Sequence, residues 1–360
     1  MRIGFDAKRY FFNRTGLGNY SRGVVHALAQ TFPKDEFVLF TPREPAQMQL
    51  PENITHFAPK TKNPLWRLSG VTQDAHKLGI DVFHGLSNEL PWGLKSKKIV
   101  SVVTIHDVIF KRFPAYYKLP DRLLYDWKTK HALKTADRIV VTSQATAADL
   151  EYFYGIQASN CEVVFQPVQD QFYTKSAFQV PEVQPYFIYV SSFTGRKNHN
   201  ILIEAFAKIK KLTDLNLVLI GSAGETLPSI QNYIQHEKLE HRVKVIANAS
   251  QDEVVAYMQQ AAAFVYPSLF EGFGIPLAEA AVCGLPMAVS NIDVFQELAG
   301  NAARYFHPNK AEEIADAMLA LTRLEELTDQ NISRQSLLDK IQPAQVAAHQ
   351  MKVYQSIYST

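Results

Sequence analysis

The chain has 360 residues, with 37 Lys+Arg against 35 Asp+Glu (formal net charge +2), 47% hydrophobic and 20% charged residues. These values exclude intrinsic disorder, a collagen-like repeat and a strongly basic nucleic-acid tail, and the length suggests two domains. Two cysteines, Cys161 and Cys283, exclude a disulfide framework and stand in no metal-ligand spacing.

Met1-Arg2-Ile3-Gly4-Phe5-Asp6 lacks the apolar core of a secretory signal and reads as a first strand. Short apolar runs follow at Phe37–Thr41, Val82–Gly85, Lys98–His106, Arg138–Ser143 and Glu162–Gln166. A second series comprises Tyr186–Ser192, Asn216–Gly221, Val243–Asn248, Ala263–Pro267, Pro286–Ser290 and Arg304–Phe306. Helical periods lie between them, as at Leu17–Phe32, Asp121–Ala136, His199–Leu212, Gln251–Ala261 and Ile275–Cys283. Strands alternating with helices indicate parallel, doubly wound sheets, and runs that are apolar throughout indicate strands covered on both faces.

From Gln166 to Pro185 the chain has three prolines and no clear period, which suits a linker. The expected organisation is therefore α/β, with Rossmann-like domains at 1–170 and 171–342 facing each other across a cleft, and a helix at 343–360. In such sheets ligands bind at the carboxyl ends of the strands. The longest uncharged run, between Glu253 and Glu271, is too short and too polar to span a membrane. A soluble intracellular protein is expected, at most attached to a membrane from one side.

Four segments at expected strand ends carry the polar chemistry. Arg14-Thr15-Gly16-Leu17-Gly18-Asn19-Tyr20 opens the first long helix, and Gly16 and Gly18 would let backbone N–H groups approach an anion; an ordinary strand-to-helix turn would look the same. Thr104-Ile105-His106-Asp107 puts two titratable groups at one strand end, with His84 and Asn88 at the end of a neighbouring run; a packed core histidine is the competing explanation. Gly195-Arg196-Lys197-Asn198 offers a guanidinium fork and a point charge for a diphosphate, or merely two exposed cations.

The fourth segment is the most specific: Ser268-Leu269-Phe270-Glu271-Gly272-Phe273-Gly274-Ile275-Pro276-Leu277-Ala278-Glu279-Ala280. Pro276 suits the first turn of a helix, where free N–H groups of Gly274, Ile275 and Leu277 would face an anion or sugar hydroxyls. Glu279 lies in a nearly all-apolar stretch, an odd setting for a solvated charge, whereas a carboxylate there could bind the two hydroxyls of a ribose.

Glu271 and Glu279, seven residues between them around Phe-Gly-Ile-Pro, resemble the Glu-x7-Glu motif of retaining glycosyltransferases of family 4, which have the GT-B fold. The resemblance extends over the chain, since the glycine loop, the His106-Asp107 strand end, Arg196-Lys197-Asn198 and Ser290-Asn291-Ile292 with Glu297 occur in the expected order. It is strongest toward mannosyl- and rhamnosyltransferases of bacterial surface polysaccharides.

The resemblance implies a nucleotide-sugar donor, GDP-mannose first, with a UDP-sugar or dTDP-rhamnose next, and a glycan or lipid-linked acceptor. Arg196 and Lys197 match the donor-diphosphate positions, and Glu279 the ribose-binding glutamate. Glu271, Phe273, Gly274, Ile275 and Leu277 match the donor-sugar region, and Gly16 and Gly18 the glycine loop. His106 matches the histidine near the reacting centre, with Asp107, His84 and Asn88 as acceptor-side candidates. Ser191-Ser192 and Gly195 depart from the family's frequent Gly-Thr and Pro. No Asp-x-Asp occurs, so no metal cofactor is expected. The terminal Pro343–Tyr358 segment would either cross back to the first domain or pack on its own. Two other readings remain: a non-catalytic sugar-nucleotide-binding subunit and a GT-B sugar-nucleotide epimerase.

The near-neutral total conceals an asymmetry. Residues 1–170 carry 22 Lys+Arg and 16 Asp+Glu, and Lys95–Arg138 alone holds 11 basic against four acidic residues. Phe110, Phe113, Tyr116 and Tyr117 are interleaved with those cations. Such a segment suits either an anionic membrane surface or a plain solvated face. No nucleic-acid partner is expected.

Overall fold

The computed structural model describes residues 1–358 apart from 14, 47, 61, 62, 64, 182, 183 and 324–327, with the backbone alone for 328–332. Arg14, the first residue of the glycine loop, thus lies outside the described residues. The chain forms two compact units, Met1–Pro167 together with Ile341–Thr360, and Val168–Lys340.

The first unit contains β1 (Arg2–Asp6), β2 (Glu36–Phe40), β3 (Ile54–Phe57), β4 (Val82–Gly85), β5 (Val100–Ile105), β6 (Arg138–Val141) and β7 (Cys161–Val163). They form one sheet in the order β3-β2-β1-β4-β5-β6-β7, with every pairing parallel. Successive residues of β2 enter different cores: Phe37 and Leu39 pack with Ile3, Phe5 and Val24, whereas Val38 and Phe40 pack with Phe83, Val103 and Ile105. Both faces of this sheet are therefore covered, which is why its strands read as unbroken apolar runs. β3 has no such run. Its Thr55 and His56 are exposed at the sheet edge, so the sequence pattern passes over it.

The second unit contains β8 (Tyr186–Val190), β9 (Asn216–Gly221), β10 (Val243–Ala247), β11 (Ala263–Tyr266), β12 (Met287–Ser290) and β13 (Arg304–Phe306). Their order is β10-β9-β8-β11-β12-β13, again all parallel. In each sheet the order reverses once, at β1/β4 and at β8/β11. In open α/β sheets ligands bind at such switch points.

The terminal helix Pro343–Tyr358 belongs to the first unit, where Val346, Ala347, Met351 and Tyr354 join the core containing Val24 and Leu28 of the Gly16–Thr31 helix. Divided this way, the first unit has 23 Lys+Arg and 15 Asp+Glu, a net of +8, and the second has 14 and 20, a net of −6. Among the described residues no helix is long and apolar enough to cross a membrane. Of the four aromatics between the cations of Lys95–Arg138, Phe110 is a core residue and Tyr116 is exposed.

Candidate active site

The switch point of the second unit gathers the segments after β8 and β11. Leu269 N–H donates to Arg196 O (2.9 Å), tying the two loops together. Asn198 has a left-handed backbone (φ 61°) and ends the turn, with its amide anchored on Pro308 O at 2.6 Å. Arg196 and Lys197 therefore project from a braced turn.

Glu271 is the focus of both cations. Lys197 Nζ donates to its Oε1 and to the Tyr266 hydroxyl (2.9 Å), while Arg196 Nη1 reaches Phe270 O at 3.1 Å and Glu271 Oε2 at 3.4 Å. Tyr266 and Ser268 hydroxyls also donate to Glu271 Oε1, each at 2.7 Å. Burial alone would raise the Glu271 pKa, but the charges of Lys197 and Arg196 outweigh it and hold the carboxyl at about 2. Lys197 is buried, so this pair is little screened by solvent. Two cations on one carboxylate leave a net positive charge with fixed geometry, suited to a diphosphate.

Gly274 follows with φ +97°, and a Cβ there would come within 2.6 Å of the Phe295 ring, so the position excludes side chains. It precedes the Ile275–Val282 helix, whose Pro276 sits in the first turn. The Leu277 N–H is already bonded to Gly274 O (2.9 Å), which removes it from the donors expected to face a ligand. The Leu277 side chain and the Phe273 ring are buried. Phe273 and Leu277 build the core under the loop, while Ile275 stays half-buried.

Glu279, two turns along, is buried too but has no cation beside it among the described residues, and burial pushes its carboxyl up to about 8. It is mostly protonated near neutrality.

In the first unit His106 ends β5 and is held from every side. Its Nε2–H donates to Leu86 O (2.8 Å), its Nδ1 faces the Gln166 amide (3.4 Å), and its backbone N–H donates to Asn88 Oδ1 (3.1 Å). The Tyr20 ring meets it edge-on at 4.4 Å between centroids. Burial lowers its pKa to about 4, so the ring is neutral at pH 7. With both ring nitrogens engaged, it is a fixed, neutral surface rather than a poised base.

Asn88 (φ 56°) bridges two loops, donating from Nδ2 to Asp107 O at 3.0 Å. Asp107 is half-buried and its Oδ1 accepts the Ile109 N–H (3.2 Å). His84, expected near an acceptor, is wholly interior: Nδ1 meets Tyr354 OH at 2.6 Å and Nε2 meets Thr104 Oγ1 at 2.8 Å. It is the packed core histidine, its pKa lowered to about 3 by burial.

The first two glycines of the Gly16–Thr31 helix differ. Gly16 has open space where a side chain would stand, whereas a Cβ on Gly18 would lie 1.9 Å from Asn13 O. Asn13 Oδ1 accepts the N–H groups of Thr15 (2.8 Å) and Gly18 (3.2 Å), so packing already accounts for Gly18. Tyr266, Asn13 and Gln166 are the residues that sequence reasoning passed over. Each acts by touching a named residue across the fold, a relation no local pattern carries.

A family model described as glycosyl transferases group 1 matches residues 171–336, and one described as glycosyltransferase family 4 matches residues 16–172. The O-antigen chain mannosyltransferase B of Escherichia coli is 26% identical over 349 residues, covering 89% of this chain and 90% of its own. An N-acetylgalactosamine-N,N'-diacetylbacillosaminyl-diphospho-undecaprenol 4-alpha-N-acetylgalactosaminyltransferase of Campylobacter jejuni is 25% identical, covering 76% of this chain and 77% of its own. Among solved structures, sucrose-phosphate synthase of Thermosynechococcus elongatus superposes with a TM-score of 0.81 at 19% identity, over 100% of this chain and 99% of its own.

Proposed function

The chain belongs to the group 1, family 4 glycosyltransferases of the GT-B fold, and on that premise we propose that it transfers mannose from GDP-mannose to a lipid-linked or glycan acceptor of a surface polysaccharide. The general activity is hexosyl transfer. The observation supporting a nucleotide-sugar site here is the Arg196–Lys197–Glu271 cluster at the β8/β11 switch point, beside the buried Glu279. The mannose assignment follows the E. coli relative, and the lipid-linked acceptor follows the Campylobacter relative. The proposed place of work is the cytoplasmic side of an anionic membrane.

In this reading Arg196 and Lys197 hold the diphosphate and stabilise the charge that grows on it as the anomeric C–O bond breaks. Glu279 receives the ribose hydroxyls. Glu271, with a pKa near 2 and Oε1 already accepting three donors, is a poor proton acceptor and serves to position the cations and the sugar. Within the second unit the N–H groups of Gly274 and Ile275 line the donor; within the first, Asp107 and Asn88 are the groups offered to an acceptor. The acceptor hydroxyl attacks the anomeric carbon on the face the diphosphate leaves, and its proton passes to the departing phosphate oxygen. The donor's anomeric configuration is retained, and the charge stabilisation comes from these cations without a metal.

A thermal-shift panel of GDP, UDP and dTDP sugars tests the donor, because a ligand selective for the folded state raises its stability. A shift largest for GDP-mannose, with slow hydrolysis to mannose and GDP, is expected. Equal shifts for all three would remove the base assignment, and epimerised donor would replace transfer with isomerisation.

A further inference from the structure

The first half of the Leu119–Thr135 helix leaves most of its apolar side chains exposed, although Tyr125 packs on Phe110 and Tyr117 and Asp126 pairs with Lys111. The helix's buried residues, Thr129, Ala132 and Leu133, all lie in the second half. Leu119, Leu123 and Trp127 nevertheless recur at four-residue steps, along one side of the helix, and are 60%, 62% and 47% exposed. Leu124 and Tyr125 are exposed beside them. Trp127 also meets the exposed Trp92 edge-on at 6.0 Å, which carries the apolar surface onto the loop after β4. Single exposed leucines are ordinary, but a continuous stripe with two tryptophans is not.

The cations of the same region fall into two groups. Lys111 and Lys130 are paired with Asp126, and Lys128 with Glu89. Among the described residues no ion pair engages Lys95, Lys97, Lys98, Lys118, Arg122 or Lys134.

We propose that this face docks on a bilayer carrying anionic lipid headgroups. Leu119, Leu123 and Leu124 enter the acyl boundary, Trp92 and Trp127 lie at headgroup level, and Lys118 and Arg122, which flank Leu119 and Leu123 in sequence, meet lipid phosphates. Charge selects this occupant. A second copy docking through the same face would set like charges against each other, whereas an anionic surface complements a unit of net +8. Of the aromatics adjacent in sequence to Lys111 and Arg112, Phe110 is in the core and takes no part in this surface.

The proposal takes its purpose from the lipid-linked acceptor, but its test contains no sugar. The full chain is sedimented with phosphatidylcholine vesicles, with and without about one-third phosphatidylglycerol. Binding to the anionic vesicles is expected, falling about tenfold as salt is raised from low to high. Leu123→Asp with Trp127→Asp is expected to lower it about tenfold at unchanged circular dichroism. Lys118→Glu with Arg122→Glu is expected to lower it severalfold and to flatten the salt dependence.

The chain's three tryptophans offer a second readout. Trp66 is buried, so a blue shift on vesicle binding must come from Trp92 and Trp127 and vanish in Trp92→Phe with Trp127→Phe. Sedimentation unaffected by these variants, or indifferent to anionic lipid, overturns the proposal. So does a change in the mass of the soluble protein as the sole effect of Leu123→Asp with Trp127→Asp, which marks a protein interface. Vesicle binding lost with donor hydrolysis intact is the expected dissection, and donor hydrolysis absent with vesicle binding intact would count against the transferase mechanism alone.

Discussion

The strand ends of the two units solve the burial of polar groups in opposite ways. After β8 and β11 a carboxylate is kept charged at about 2 by two cations, and eight residues further on a second carboxyl without a cation is pushed up to about 8. At the ends of β4 and β5 the groups are histidines, held neutral by burial at about 3 and about 4, their rings partnered by Thr104, Tyr354, Leu86 and Gln166. Charge is stored where a diphosphate would be bound and later released. It is avoided where an uncharged hydroxyl would approach. The difference follows from neighbours rather than residue type, since Glu271 and Glu279 belong to one motif.

The contrast is most exposed to failure at Lys197. Replacing it with Ala leaves Glu271 with its Tyr266 and Ser268 hydrogen bonds but only Arg196, at 3.4 Å, as a cation, and kcat/KM should fall by about 10²–10³. A loss smaller than about threefold, under ~1 kcal/mol, would show that the pair does not stabilise the leaving group.

Glu279→Gln probes the other carboxyl. Its pKa is raised from 4.5, so between about pH 4.5 and 8 the folded protein holds a proton the unfolded chain has lost. Wild-type stability therefore declines as pH rises through this window, by on the order of a few kcal/mol, and the Gln variant lacks that decline. Parallel pH–stability curves for the two proteins would place the carboxyl in solvent. The variant should also raise the donor KM more than it lowers kcat.

The histidines have the opposite sign. Their pKa values lie below 6.5, so the unfolded state binds the extra protons and stability falls as pH drops from about 6.5 toward 4 and 3. His84→Gln should shift acid unfolding to lower pH while preserving turnover, because His84 touches only interior groups. Loss of turnover at retained stability would return His84 to the active site. The smallest effect is expected for Tyr354→Phe, which removes the 2.6 Å bond to His84 and should cost about 1 kcal/mol in chemical denaturation.

Much of this organisation is legible in the sequence. Twelve strands show as apolar runs, the interior ones because both sheet faces are covered, while edge strand β3, with Thr55 and His56 exposed, does not. The Glu271–Glu279 spacing and the Arg196-Lys197 pair are local features and are read directly. What stays hidden depends on contacts across the chain. Tyr266 sits five residues before Glu271 with nothing to mark it as a ligand, and Gly18 resembles a phosphate-loop glycine while its reason is Asn13 O. The aromatics near Lys111 likewise look like membrane anchors, but periodicity alone does not tell the buried Phe110 from the exposed Leu123.

The central claim is that Arg196 and Lys197, set in place by Glu271, hold the donor's diphosphate. Calorimetric titration of GDP and of guanosine into wild type, Arg196→Ala and Lys197→Ala tests it most directly. The account predicts that each variant weakens GDP binding at least about tenfold, ~1.4 kcal/mol, and leaves guanosine binding unchanged. GDP affinities within about threefold of wild type, or equal losses for GDP and guanosine, would contradict it.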